Sequence, residues 1–195
     1  MKRCLWLVFL LMVGLVGVAF AADSGARFSG MTGQVEVRPD TDEEGWKLGK
    51  MDTTLNVLDH IRTQEDSSAI LSFADMSTFV LKAESEIVVT TPPEKESKVK
   101  LVAGNIWVNV KKMVKEGSME IEMNQAVAGI KGTNITCGSN ANEDRIQVLR
   151  GQAEILIKES QERIMLQEGE ELIVKPGGKS EKTEVDVGAI QEEWK

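Results

Sequence analysis

Apolar and polar residues alternate along most of the chain, a period that places every second side chain on one face of a β-strand. Two clear examples are residues 68–75 (SAILSFAD) and 105–112 (NIWVNVKK). The apolar positions of later segments are Met119, Ile121 and Met123, Ile146 and Val148, Ala153, Ile155 and Ile157, Ile164 and Leu166, and Leu172 and Val174. The alternation predicts an all-β fold of ten or more short strands.

Turn-forming residues separate these segments at the intervals of a sandwich, a roll or a β-solenoid. A glycine followed by renewed alternation recurs weakly at Gly104, Gly151 and Gly169, which suggests coils stacked on one another. Helical periodicity is confined to the C-terminus, where Asp186 can cap a short helix. A chain of 195 residues, 42% of them hydrophobic, can bury one core of ordinary size. We therefore predict a single-domain β-roll or short β-solenoid.

The N-terminus has the pattern of a secretory signal. Lys2 and Arg3 precede a long apolar run that ends in Ala-Phe-Ala at residues 19–21. We predict a signal peptide over residues 1–21 and export of the remainder to the periplasm or the outside of the cell. The rival interpretation is an uncleaved anchor, because residues 4–22 at about 1.5 Å each can span a hydrocarbon core of roughly 30 Å.

Charge and cysteine content restrict the partners and the chemistry. Cleavage removes two basic residues and no acidic one, so the formal charge of −8 becomes −10. Because nucleic acid requires a basic face, we expect no nucleic-acid partner. Cys137 is the only cysteine beyond the predicted signal, which excludes an internal disulfide, and its place in a strand pattern predicts a small buried hydrophobe.

Five segments occur in the order seen in FecR-like domains. They are residues 59–78 (DHIRTQEDSSAILSFADMST), 101–110 (LVAGNIWVNV), 126–135 (AVAGIKGTNI), 146–155 (IQVLRGQAEI) and 166–174 (LQEGEELIV). The chain thus resembles a stand-alone FecR domain spanning about residues 33–174. The most specific piece is a core motif made up of Ala128, Gly129, Ile130, Lys131, Gly132 and Thr133.

The resemblance implies an all-β domain of the cell envelope that binds or transmits rather than catalyses. In the namesake regulators the domain is periplasmic, follows a transmembrane helix and relays the state of an outer-membrane receptor to a cytoplasmic sigma-factor partner. Only three residues precede the apolar run here, so direct sigma-factor control does not carry over.

The sequence departs from the family pattern at turns. Leu58 precedes Asp59 where the family usually has glycine, and Met76 replaces the glycine of an Asp-Gly-Ser turn. Met123 and Asn124 replace the usual Thr-Pro ahead of the core motif. A residue with a Cβ is strained wherever a turn needs a positive φ, so we expect altered turns within an unchanged fold.

Neither lysine-glycine motif fits a phosphate-binding loop. In the core motif Lys131 precedes the second glycine and a strand follows, whereas such a loop needs glycine, then lysine, then a helix. The segment 177–180 (GGKS) has the required ending, but Ile173 stands where the first glycine should be. We predict no nucleotide and no other cofactor.

Catalytic and metal-binding patterns are equally weak. His60 is the only histidine, no nucleophile motif accompanies it, and the acidic segment 40–51 lacks the final bidentate glutamate of an EF-hand. Glu120 and Glu122 lie on one strand face and could serve a hydrolase, but they also fit the solvated face of a half-buried sheet. We predict no catalytic residues and no metal site.

Two residues are candidates for partner binding. Trp107 is out of phase with the apolar residues around it, so its ring either contacts a partner or is covered by another layer. Lys131 has an open role in the core motif, where it can pair with a carboxylate or meet a partner. The expected partner is a protein or an envelope polymer.

The predicted organisation is a signal at 1–21, a lead at 22–32, the β domain at 33–175 and a polar tail at 176–195 that contains the short helix. The leading functional hypothesis is a non-enzymatic exported binding or scaffolding module. The second is a signal-relay component held in the inner membrane by an uncleaved N-terminus. The third is a hydrolase that uses an unrecognised carboxylate pair.

The first two hypotheses differ in the N-terminus of the mature protein. We expect mass spectrometry of the exported protein to find Ala22 as its first residue, because the small side chains at positions 19 and 21 suit signal peptidase. Recovery of the chain from membranes with residues 1–21 intact would favour the anchored relay instead.

Overall fold

The computed structural model describes residues 24–40, 45–73, 77–91, 96–111 and 118–194. Within these ranges the elements are β1 (Ser24–Thr32), β2 (Val35–Arg38), β3 (Lys47–Leu48), β4 (Thr54–Asn56), β5 (His60–Thr63), β6 (Ser68–Ser72), β7 (Thr78–Leu81), β8 (Glu86–Thr91), β9 (Glu96–Asn109), β10 (Ser118–Glu122), β11 (Ala126–Ile130), β12 (Asn134–Ser139), β13 (Asp144–Arg150), β14 (Gln152–Ile157), β15 (Arg163–Gln167), β16 (Glu170–Lys175), β17 (Lys179–Glu184) and α1 (Val187–Glu193). The predicted all-β class and the short C-terminal helix are confirmed.

The strands form one hydrogen-bonded network that folds into two layers. Layer A has the order β4-β1-β6-β7-β9-β12-β13-β16-β17. Layer B has the order β3-β2-β5-β8-β9-β10-β11-β14-β15. Strand β9 belongs to both, because its first half pairs with β8 and β10 and its second half with β7 and β12. The result is a flattened roll.

The alternation read from the sequence gives the core. Buried side chains of both layers form one hydrophobic cluster, to which β9 contributes Ile106 and Val108, and β10 contributes Met119 and Ile121. All four are fully buried. Because the inner faces are filled with apolar side chains, the intervening residues lie on the outer faces of the roll, where a partner can reach them.

The chain passes between the layers at corners where one residue has a positive φ. Gly33, Gly132, Gly151 and Gly169 hold four of these corners, and Gly104 holds the bend within β9. The left-handed region reverses the path of the backbone within one residue, and glycine enters it without a steric penalty. These corners explain the weak glycine repeat in the sequence.

The bend in β9 is packed against a buried serine. A Cβ on Gly104 would lie 2.4 Å from the Cα of Ser85, so only glycine fits. The Ser85 hydroxyl donates to the carbonyl of Asn105 over 3.0 Å and accepts from its N–H over 2.9 Å. The N–H of Ser85 in turn donates to the hydroxyl of Thr63. The Ser85 hydroxyl therefore provides an acceptor for the Asn105 N–H, and the Asn105 carbonyl also accepts from the N–H of Lys82 over 3.1 Å.

Strands also occur in the segments predicted as the N-terminal lead and the polar C-terminal tail. The lead predicted at 22–32 contains β1, which pairs with β4 and β6 in layer A. The predicted polar tail contains β17, which pairs with β16, and α1, whose N-cap Asp186 accepts from the N–H of Ala189. The described helix of seven residues falls far short of the length needed to cross a bilayer.

Leu58 lies at the corner between β4 and β5 with a φ of 70°. Its side chain is 42% exposed, so burial gives it little compensation for this conformation. Leucine in place of the family glycine at position 58 therefore strains the backbone locally, while the flanking strands β4 and β5 are intact. Met76, the other altered turn, lies outside the described residues.

We expect Leu58→Gly to raise the free energy of unfolding by about 0.5 to 1 kcal/mol. The left-handed region costs a residue with a Cβ roughly 1–2 kcal/mol, and glycine gives back about half of this as unfolded-chain entropy. Urea unfolding at neutral pH measures the change. The matched control is Gly104→Ala, which should lower stability by about 2 kcal/mol or more through its clash with Ser85. Equal effects of the two substitutions would contradict the assignment of strain.

Candidate functional site

The core motif is strand β11 and the corner that follows it. Ala128 and Ile130 point inward and are buried, whereas Gly129 lies between them on the outer face. Gly132 makes the corner with a φ of 65°. The buried hydroxyl of Thr133 then donates to the carbonyl of Gln152 over 2.8 Å, which ties the corner to β14. In the structure the motif is a strand followed by a backbone turn between the two layers.

Gly129 leaves a depression in the outer face of layer B. Across the sheet it is flanked by Glu120 on β10 and Glu154 on β14, and Met165 on β15 is next in the same row. Adjacent strands are about 4.8 Å apart, so the two glutamate backbones are roughly 10 Å apart with no side chain between them. The φ of Gly129 is not positive, and a Cβ there would meet only the carbonyl of Glu154 at 3.6 Å, an ordinary contact. The backbone therefore does not require glycine at this position.

The depression is part of an open groove of about 400 Å³. The lining residues come from β10, β11, β14, β15 and the adjoining corner, and they are Glu120, Val127, Gly129, Ile130, Lys131, Gln152, Glu154, Leu156, Arg163 and Met165. The groove thus combines carboxylates, two cationic groups and an apolar floor. No aromatic ring is present in this lining, so stacking against a sugar ring has no platform here.

The two cationic groups of the groove differ in their pairing. Arg163 forms an ion pair with Glu154 across β14 and β15. Lys131 is exposed, and no carboxylate among the described residues forms an ion pair with it. Pairing with a carboxylate, one of the two roles left open for Lys131, is therefore not seen in the described part of the chain, and Lys131 lines the groove.

The carboxylates considered for hydrolysis are paired with lysines. The ammonium group of Lys98 lies 3.0 Å from Glu122 and 3.8 Å from Glu120, and Lys158 lies 3.0 Å from the other oxygen of Glu122. The hydrogen bond from Lys158, followed by that from Lys98, holds the pKa of Glu122 below its ordinary value. A general acid needs a raised pKa, so Glu122 is unsuited to that role.

Trp107 lies on the opposite side of the molecule from Lys131. It is half-buried on the outer face of layer A, between Val80 on β7 and Thr136 on β12. The structure therefore does not bring the two predicted partner-binding residues together. The ring is neither fully covered nor fully exposed, so a partner could reach only part of it.

The other described tryptophans have cations over their rings. The guanidinium of Arg62 lies 4.0 Å from the centre of the Trp46 ring, and the ammonium of Lys82 lies 4.2 Å from that of Trp194. Lys82 also forms an ion pair with Glu193 at 2.6 Å, which fixes α1 against the end of β7. Both rings thus have structural contacts on a face that a ligand would use.

Cys137 and His60 have structural surroundings. Cys137 is buried in the core, and that burial raises the pKa of its thiol, with a smaller effect from the charge of Asp144. The thiol is therefore protonated and unreactive at neutral pH. His60 begins β5, and its Nδ1 lies 2.7 Å from a carboxylate oxygen of Glu86 on β8.

The remaining sequence motifs are turns. Gly177 and Gly178 both have positive φ and connect β16 to β17, so the GGKS segment is a hairpin rather than a phosphate loop. The acidic segment at 41–44 lies outside the described residues. In the described ranges no group of three or more His, Cys, Asp and Glu side chains is arranged to hold a metal ion.

Two residues, the buried Asp144 and the groove residue Met165, were not predicted from the sequence. Asp144 is fully buried and accepts hydrogen bonds from the N–H of Ala126 and the hydroxyl of Ser139, which joins the two layers. Its position before an alternating run carried no signal of burial. Met165 lines the groove and is an apolar residue out of phase between Ile164 and Leu166, the same signal that selected Trp107.

The fold is a two-layer all-β module with an open groove on the outer face of layer B. Residues 59–154 match the family described as FecR protein. The family assignment made from the sequence is confirmed, and this part of the chain is a FecR domain.

Solved structures share the fold. Two crystal structures, at 1.65 and 2.50 Å resolution, are of a candidate anti-sigma factor from Parabacteroides distasonis ATCC 8503. Each aligns with a TM-score of 0.61 at 16% sequence identity over 69% of this chain. The chain spans less than two thirds of those proteins, 64% of the first and 63% of the second. No curated protein matches the chain.

We expect Glu122→Gln to lower the free energy of unfolding at pH 7 by about 1 kcal/mol, the size of a partly exposed ion pair. The pKa of Glu122 is lowered by folding, so its contribution is present above the unfolded pKa of about 4.3 and is lost as the pH falls through the folded pKa. Urea unfolding at pH 7 and pH 2.5 should therefore show a difference that disappears in acid. Glu168→Gln, at an exposed position, is the control, and a difference that persists in acid would refute the ion-pair origin.

Proposed function

We propose that the chain is a non-enzymatic, exported binding module of the FecR type, and that the groove over Gly129 holds part of a protein partner. The observation that carries this proposal is Gly129 itself. Its backbone tolerates a Cβ, so the missing side chain has no structural cause, and its effect is to open the floor of the groove.

The chemistry of the groove favours a polypeptide over a sugar polymer. Val127, Leu156 and Met165 supply an apolar floor, and Lys131 supplies a cation that meets no described carboxylate. Protein interfaces typically combine such an apolar centre with a charged rim. The groove is on the outer face of layer B, where binding needs no rearrangement of the core.

The carboxylate contacts support a non-enzymatic role. Glu120 and Glu122 share Lys98, and Lys158 adds a second cation to Glu122. The two lysines hold the pKa of Glu122 below its ordinary value, whereas the acid of a hydrolase pair needs a raised pKa. The pair therefore contributes to the stability of layer B in this proposal.

Signal relay is the second candidate. The solved structures that share the fold are described as a candidate anti-sigma factor, which supports a regulatory use of binding at the groove. In this form, residues 1–21 would remain as an inner-membrane anchor, and the occupied groove would report the state of the partner. These residues lie outside the described part of the chain, and the N-terminus of the exported protein separates the two candidates.

The test is capture of proteins from an envelope extract by immobilised residues 22–195. We expect Gly129→Val, which fills the depression, and Lys131→Glu, which reverses its cation, each to reduce capture of the same protein at least about tenfold. Trp107→Ala, on the other layer, and Lys175→Glu, a matched charge reversal at an exposed site, should leave capture unchanged.

Other outcomes count against the groove. Loss of capture with Trp107→Ala alone would transfer the binding surface to layer A. Capture that Gly129→Val leaves intact would show that the depression has no part in binding. Thermal unfolding of each variant identifies those that fail because they do not fold.

A further inference from the structure

Helix α1 is attached to layer A at two places that are far apart. At its start, the N–H of Val185 donates to the carbonyl of Gly169 over 2.8 Å, beside the edge strand β17. At its end, Glu193 forms an ion pair of 2.6 Å with Lys82, and the centre of the Trp194 ring lies 4.2 Å from the same ammonium. Lys82 directly follows β7, which is separated from β17 by β16, β13, β12 and β9.

The path between these attachments crosses the outer face of layer A. Five strand spacings of about 4.8 Å separate β17 from β7, roughly 24 Å in all. The seven residues of α1 extend about 10 Å at 1.5 Å per residue, and the residues before it and the long side chains of Lys82 and Glu193 supply the remaining reach. Because the core fills the space inside layer A, α1 lies over the outward side chains of the intervening strands.

The exposure of one outward row follows this path. We call it the Trp107 row, and it consists of Ile70, Val80, Trp107 and Thr136, which face one another in register across β6, β7, β9 and β12. Ile70 is one strand beyond the attachment at Lys82 and is 37% exposed, whereas Thr136, under the path of the helix, is 5% exposed. Val80 and Trp107, between them, are half-buried. The row is therefore covered on the side where α1 crosses it.

The apolar side of α1 is the side that is partly buried. Val187, Ile190 and Trp194 are three and four residues apart, the spacing of one helix face, and all three are half-buried. No residue of the helix is fully buried. Helices shorter than about 12 residues are marginal in water, so a helix of seven residues forms only while it is docked. Undocking of α1 would therefore also unfold it.

The C-terminal attachment of α1 depends on one lysine. Lys82 supplies both the ion pair with Glu193, whose side chain is 69% exposed, and the cation over the Trp194 ring. Contacts of this kind are individually weak when they are exposed to solvent. We propose that α1 is a releasable strap that closes the Trp107 row, and that Lys82 holds the strap in place. Its release exposes an apolar surface on the side of the molecule opposite the groove over Gly129.

Hydrogen exchange of the mature chain, residues 22–195, tests the hold of Lys82. The N–H of Ile190 donates to the carbonyl of Asp186 over 3.2 Å, so its exchange rate reports the fraction of chains with α1 undocked. We expect Lys82→Gln to raise this rate at least about fivefold, the size of one exposed ion pair. Lys179→Gln, the same charge change on the exposed strand β17, should leave the rate unchanged. Equal rates for the native chain and Lys82→Gln would overturn the proposal.

The same experiment separates release of the strap from unfolding of the whole domain. A strap opens while the layers stay folded, so the N–H groups of α1 should exchange faster than those of the central strand β12 in the native chain and in each variant. Equal rates in α1 and β12 would show that the helix leaves only when the domain unfolds, which would also overturn the proposal.

Fluorine NMR shows what the strap covers. Labelling with 5-fluorotryptophan gives the mature chain three signals, from Trp46, Trp107 and Trp194, and a soluble gadolinium chelate broadens those of exposed rings. We expect Lys82→Gln to increase the broadening of the Trp107 signal and to leave that of Trp46, which packs against Arg62 of layer B, unchanged. If exchange in α1 rises while the Trp107 signal stays as it was, the helix does not cover this row.

The contact is also testable from the side of the row. Trp107→Ala removes part of the surface on which α1 docks, so it should raise the exchange rate in α1, because coupling between two groups is reciprocal. Trp46→Ala removes the same kind of ring from layer B and should leave exchange in α1 at the native rate. A response of α1 to both substitutions, or to neither, would contradict docking over Trp107.

Discussion

The close approach of Gly104 to Ser85 determines the architecture of this domain. A single strand, β9, belongs to both layers because its backbone bends where no Cβ fits, and the Ser85 hydroxyl hydrogen-bonds both backbone groups of Asn105 beside the bend. A comparable close approach recurs where Gly33 meets Ser67, since a Cβ on Gly33 would lie 2.4 Å from the Ser67 hydroxyl. Each corner connects a strand of one layer to a strand of the other. The two layers therefore enclose a single core, and their outer faces point to solvent.

The core motif shows how one short segment can serve both structure and surface. Gly132 occupies a corner with a positive φ, and Thr133 ties that corner to β14, so both are explained by the backbone. Gly129, three residues earlier, has no such constraint and instead leaves the outer face bare between Glu120 and Glu154. Lys131 lies between these two glycines, directly before the corner residue Gly132, and lines the groove. In the proposed binding role, a backbone fixed by the corner would reduce the entropy lost on association.

Period two was sufficient to predict most of the fold, because burial on one face of a strand leaves a direct trace in the sequence. The trace fails at both ends of the domain. Strand β17 is exposed on both faces and so has no alternation, and β1 includes the small residues Gly30 and Ala26 along with polar ones. The groove could not be predicted for a different reason: cross-strand register, which sets Glu154 beside Gly129, is determined by corner geometry rather than by pattern. The sequence does show apolar residues at positions where the alternation predicts polar ones. Met165 is one of these, as is Trp107.

The two layers end in different ways, and the difference bears on how the surface is used. The charged side chains of β17 oppose pairing with another strand. Strand β15 instead has an outward apolar residue, and its outward backbone groups are hydrogen-bonded by Glu170 and Lys182 of the β16–β17 hairpin. A charged residue in place of Met165 would protect the edge more simply, but it would also remove apolar area from the groove. Covering the edge from β16 and β17 leaves Met165 available to a ligand. Because Arg163 and Met165 belong to both the groove and the edge, a partner in the proposed site would contact the edge strand β15 as well as the strands beside Gly129.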